Sequence, residues 1–163
     1  RHGADISTIV LAALFHDIMR MKNNHAEEAS KFVVEFLRGT EFEDIRMDVA
    51  DIIREHSYSL SKKPTSLESK ILQDADRLDA LGAVGIARVF SFGGFLNREL
   101  YDPIEPKSGG SIKHFYDKIL EIPKLLNTPT AKRIGTQRMQ ILRLFLDEFI
   151  REVLLIDIHN YLH

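Results

Sequence analysis

"DISTIVLAALFHDI", residues 5 to 18, is an apolar run that closes on a histidine and an aspartate. It shows no alternation of period two, so it reads as a helix and not a half-buried strand. Asp5 is a suitable N-cap, and apolar residues on almost every side predict a central, buried helix. Beyond it, "HAEEASKFVVEFLRG" (25 to 39) places Ala29, Phe32, Val33, Phe36 and Leu37 at helical spacing and ends on Gly39, a suitable residue to follow a helix. "DIRMDVADIIREH" (44 to 56) repeats Ile45, Val49, Ile52 and His56 along one stripe, which turns His56 inward with three aliphatic residues.

Thr65 followed by Glu68 has the capping-box pattern and predicts a helix from about 66 to 90, with Gly93-Gly94 stopping it. The turn-rich stretch "NRELYDPIEPKSGGS" (97 to 111) is longer than most connections and predicts a lid over or beside a pocket. Ser111 can cap "IKHFYDKILEI", which Pro123 ends. Thr128 and Pro129 open a last helix carrying Ile134, Ile141, Phe145, Phe149 and Val153. The reading is an all-α helical bundle of about five to seven helices in a single domain over 1–163, its core within about 1–125 and its C-terminal helix within about 129–158.

Composition narrows the function. With 22 basic against 24 acidic residues the net charge is −2, and no basic run tracks a phosphate backbone, so a nucleic-acid polymer is not an expected partner. The apolar run "IVLAALF" at 9 to 15 falls far short of a membrane span, and a cytoplasmic protein is expected. Cysteine is absent, which leaves His, Asp and Glu as the only strong metal ligands.

Three polar features break the inward stripes: His16-Asp17, His56, and the acidic cluster "QDADRLDALGA" at 73 to 83, where Asp76 and Asp79 share a predicted face with Leu72, Ala83, Ile86 and Phe90. An inward carboxylate is costly without a positive partner, and a divalent cation bound by neutral imidazole and carboxylate is the economical one. Adjacent residues in a helix point about 100° apart, so His16 and Asp17 can share an ion only near a helix end. Each feature also has a plainer reading. His56 can be a hydrogen-bonded core residue, His25 a solvated cap, and the aspartates around Arg77 a helix laced with ion pairs.

Taken in order, "LAALFHDI", "HAEEAS", "IIREHSYS" and "LESKILQDADRLDALGAVGIARVF" resemble the HD superfamily of metal-dependent phosphohydrolases, and in particular its small stand-alone bacterial members. The resemblance covers roughly residues 1 to 125. It implies an all-α HD fold with a divalent ion held by His16, Asp17 and Asp76, Asp74 being the weaker match, and by one more histidine. That first histidine lies upstream in the family pattern; His2 is too close to fill the place, so a preceding helix is expected to be missing from this sequence. His25 and His56 match positions that bind a second metal or the scissile phosphate, and Asp79 could orient a water beside Asp76. Arg20, Lys70, Arg77 and Arg88 are the cations available to phosphate, each with an ordinary surface ion pair as its plainer role.

The expected cofactor is Mn²⁺, Mg²⁺ or another first-row transition ion. No Ser, Cys or Lys stands in a nucleophile motif, which favours direct attack by water. His56, at a helix C-terminus, is expected to favour its protonated form and act as a general acid, or to stay neutral on a metal. The expected substrate is a small phosphorylated molecule, a nucleotide monoester or a nucleoside triphosphate. Two alternatives stay open: a phosphodiesterase or alarmone hydrolase, and a non-catalytic or impaired HD module that binds a nucleotide or a protein partner. No membrane partner is expected, and a homodimer is an admissible assembly.

Overall fold

The computed structural model describes residues 3–56 and 63–158. Among these there are seven α-helices, two 3₁₀ segments and no strand, which bears out the all-α reading. His2 and the Ser57–Ser59 end of the third motif lie outside the described residues. In chain order the helices are α1 (Ile6–Phe15), α2 (His25–Phe36), α3 (Arg46–His56), α4 (Leu67–Asp79), α5 (Gly82–Phe95), α6 (Lys113–Asp117) and α7 (Pro129–Val153). The chain divides into two compact units, residues 1–76 and 77–163, with the boundary inside α4.

In the first unit α3 packs against both α2 and α1. The stripe foreseen for α3 is the one that turns in: Val49, Ile52 and His56 are buried, and Ala29, Val33 and Leu37 of α2 meet them in one core with Ala12 of α1. Asp5 caps α1 as expected, accepting from the Ser7 N–H at 3.0 Å. The helix is not buried all round, however. Only Thr8 and Ala12 are covered, while Ile6 is 73% and Leu14 71% exposed. The reason is that α1 is covered only where α3 and, through Phe15, the Phe32 and Phe36 rings of α2 reach it, and an apolar helix is buried only where another element does so.

The second unit holds α5 against α7 around Leu81, Ile112, Phe115, Met139 and Leu142. Thr128 caps α7 by accepting the Ala131 N–H at 3.2 Å, with Pro129 as its first residue. The loop from Asn97 is pinned by backbone bonds from Ser111 to Glu99 (2.8 Å) and from Ile112 to Leu100 (3.0 Å).

Four local expectations are corrected. The helix predicted over 66–90 breaks after Asp79: Leu81 is extended, Gly82 has φ +72°, and α5 begins anew. Gly93 and Gly94 do not stop α5, which runs on to Phe95; Gly93 lies within it because the Ser111 hydroxyl occupies the space a side chain would need. Ser66, not Thr65, caps α4, its hydroxyl accepting the Ser69 N–H at 3.0 Å while Thr65 is bound elsewhere. Pro123 does not end a helix but sits inside the 3₁₀ segment Ile119–Leu125.

The break between α4 and α5 is tight enough to test. A Cβ on Gly85 would stand 2.1 Å from the Ala80 carbonyl oxygen, and backbone cannot move aside as a side-chain tip can. Gly85→Ala is expected to cost about 1–3 kcal/mol, lowering Tm by roughly 3–10 °C in a thermal melt. An unchanged melt would show that the junction is looser than described.

Candidate metal centre

His16 follows the last residue of α1, and His56 is the last residue of α3. The last turn of a helix leaves carbonyls without an intrahelical donor. Both histidines use them: His16 Nδ1 lies 2.8 Å from the Ala13 carbonyl and His56 Nδ1 2.5 Å from that of Ile53. A carbonyl only accepts, so in the neutral ring each Nδ1 carries the proton and each Nε2 offers a lone pair. Asp17 stands in the turn after α1, where the backbone is free to aim a carboxylate beside His16.

The two lone pairs meet that carboxylate. His16 Nε2 is 3.8 Å from Asp17 Oδ2, and His56 Nε2 is 4.0 Å from Asp17 Oδ1. One ligand atom from each of the three residues lies within 4.8 Å of the other two. These separations are too long for hydrogen bonds but suit donors each about 2.0–2.2 Å from one ion. The imidazole–carbonyl bonds are the kind of outer partner that metal-binding histidines usually have. The donor set therefore fits a divalent cation.

His56 is 4% exposed, and burial is the main force pushing its pKa below the ordinary imidazole value. The Ile53 carbonyl opposes the shift, His16 adds to it, Asp76 opposes it, and His25 adds slightly. The expectation of a protonated His56 at a helix C-terminus is thus corrected: loss of water outweighs the carbonyl ends. A neutral imidazole is what a cation requires.

The remaining expected residues are distributed unevenly. The His25 ring, at the start of α2, lies 5.5 Å centroid to centroid from that of His56, with the His16 ring at 5.0 Å on another side. Asp76 is exposed and is not one of the three converging groups, although its charge acts on His56. The inward face assigned to Asp76 and Asp79 is corrected, since α4 buries Ser69, Leu72, Gln73 and Asp74 instead, and the break at Gly82 ends the periodicity that linked the aspartates to Ile86 and Phe90. Arg20 reaches Asp17 Oδ2 at 3.0 Å, and Lys70 is exposed. In the second unit Arg77 donates to the Leu125 carbonyl at 2.6 Å, and Asp79 is ion-paired with Arg88. Sequence reasoning passed over Gln73 and Glu55. The available signal was an amide on the buried face of α4, one turn before Asp76.

Residues 1–81 match the HD domain family, a stretch that contains His16, Asp17, His25, His56 and Asp76. The chain is 35% identical over 162 residues to the uncharacterised protein YpgQ of Bacillus subtilis, covering 94% of this chain and 74% of YpgQ. It belongs to the HD superfamily of metal-dependent phosphohydrolases. Two solved structures resemble it in shape as well. The Lin1889 protein of Listeria innocua matches with a TM-score of 0.74 and 37% identity over 94% of this chain and 78% of that one. An HD-superfamily hydrolase of Bacillus thuringiensis matches with a TM-score of 0.69 and 36% identity over 92% and 75%. YpgQ has also been solved in complex with ADP, with a TM-score of 0.69 and 31% identity over 91% and 78%. HD proteins as a family bind divalent metals, and the His16–Asp17–His56 group of this HD chain can hold one.

The lowered His56 pKa predicts how the metal-free HD protein responds to acid. The unfolded imidazole titrates near about 6.5 and the folded one below it, so under that pH the unfolded chain binds more protons. The stability that His56 contributes as a neutral group is complete above the unfolded value and is lost as pH falls. In chelator-treated protein, Tm is expected to drop between about pH 7.5 and 5.5 more steeply for the parent than for His56→Gln. Parallel slopes in the two melts would contradict the neutral, buried state.

Proposed function

We propose that the chain hydrolyses a phosphate ester or phosphoanhydride of a small nucleotide, using a divalent ion held by His16, Asp17, His56 and Asp76. The observation that carries this reading is the convergence of two imidazole lone pairs and the Asp17 carboxylate within 4.8 Å. A nucleotide is favoured as the substrate because YpgQ, at 31% identity in that comparison, has been solved with ADP.

A bound divalent ion supplies Lewis acidity toward a phosphoryl oxygen and lowers the pKa of a water beside it. The rest is the work of this chain. His16 and His56 bind through Nε2, each ring held by its carbonyl bond so that no rotamer search precedes binding. Asp17 brings the negative charge, and Arg20, whose guanidinium touches the same carboxylate, stands ready to meet a phosphate. Asp76, on α4, would be a further carboxylate ligand to the ion. Neutral His56 acts as a ligand in this reading, not as the general acid, and His25 sits behind it to bind a second ion or the phosphate.

Nucleotides incubated with Mn²⁺, Mg²⁺ or Co²⁺, with phosphate, pyrophosphate and nucleoside measured separately, identify both the bond and the substrate. Asp76→Ala is expected to lower metal-dependent turnover at least about 100-fold, the scale of a lost metal contact, and Asp74→Ala to lower it far less per folded molecule. Equal losses would mean that the wrong carboxylate has been chosen. Ion binding without turnover on any nucleotide would favour a binding module over a hydrolase.

A further inference from the structure

Gln73 is a polar side chain only 1% exposed. Its Nε2 donates to the Glu55 carbonyl at 2.7 Å. That carbonyl belongs to the last turn of α3, and the Glu55 peptide unit leads directly into His56. The Glu55 carboxylate in turn accepts the backbone N–H of Thr65 at 2.9 Å and its hydroxyl at 2.8 Å, just ahead of α4. One residue before His56 is therefore gripped twice, by the body of α4 and by its approach.

Gln73 and Asp76 are three residues apart in α4 and lie on neighbouring turns of one side of the helix. The amide that holds the end of α3 thus also sets where Asp76 stands relative to His56. We propose that Gln73 is a positioning residue for the metal centre: by holding the peptide carbonyl next to His56 it fixes that imidazole against Asp17 and places Asp76 over it. The proposal rests on the reading of His16, Asp17 and His56 as a metal centre, and the bond it invokes is between side chain and backbone, with no ion involved.

The test compares Gln73→Met, which keeps length and loses the N–H, with Leu72→Ala, a neighbouring core change that makes no link to Glu55. Mn²⁺ affinity is measured by titration calorimetry or by the loss of the free-ion electron paramagnetic resonance signal, beside a thermal melt. Gln73→Met is expected to bind Mn²⁺ about 10- to 100-fold more weakly, while Leu72→Ala melts lower but binds like the parent. Parent-like affinity in Gln73→Met, or an equal loss in both variants, would overturn the proposal. Should Gln73→Met not fold, Gln73→Asn keeps the amide but cannot reach the carbonyl, and the same two outcomes apply. If the parent itself binds no Mn²⁺, the metal reading fails and the ring ¹⁵N spectrum of His56 in the metal-free protein decides the positioning role. A single Nδ1–H tautomer in the parent and a mixture in Gln73→Met supports it; identical spectra overturn it.

Discussion

A buried imidazole must satisfy two ring nitrogens, and His56 satisfies one of them from its own helix. The bond from Nδ1 to the Ile53 carbonyl settles which nitrogen carries the proton and which way the lone pair faces. His16 repeats the device with Ala13. Rotate either ring and its lone pair turns away from Asp17; at His56 a buried N–H is left without that acceptor as well. The proposed metal centre depends on that pair of carbonyl bonds, which the ends of α1 and α3 make possible.

The core of the first unit serves the same arrangement. His16, His25 and His56 come from the end of α1, the start of α2 and the end of α3, so no single element could assemble them. Ala12, Ala29 and Val49, all fully buried, let these helices approach closely enough for the rings to stand 5.0 and 5.5 Å apart. Small residues at the crossing matter as much as the ligands themselves, because interiors packed like crystals pass a displaced helix on to its ends. The acidic helix α4 is fastened to this frame through Gln73 and Glu55, on the side from which Asp76 acts.

Much of this was legible in the residues. Helical periodicity revealed α2, α3 and α7, and the stripe Val49–Ile52–His56 named the one histidine buried among the described residues, because a half-buried helix advertises its inner face. Turn chemistry was harder to read. Gly82 looked like one more small residue in a helix until its φ of +72° showed it as the start of a new one, and the carboxylate face drawn across 76 to 90 failed at that point. The exposure of α1 was not legible either, since apolar content tells what a helix can bury and not whether another element covers it. The role of Gln73 was hidden for a related reason: a hydrogen bond spanning 18 residues leaves no periodic trace.

The donor set has one more consequence. With no cysteine in the chain and only imidazole and carboxylate at the centre, nothing in the ligands is soft enough to single out one first-row ion. Affinities of such nitrogen and oxygen sites climb along the Irving–Williams series whatever the protein prefers. In the proposed hydrolase the ion bound in a living cell would then be a report on supply: the same polypeptide, grown where manganese is plentiful or where zinc is, would become a different reagent, its identity as a catalyst shared between its gene and the metal economy of its host.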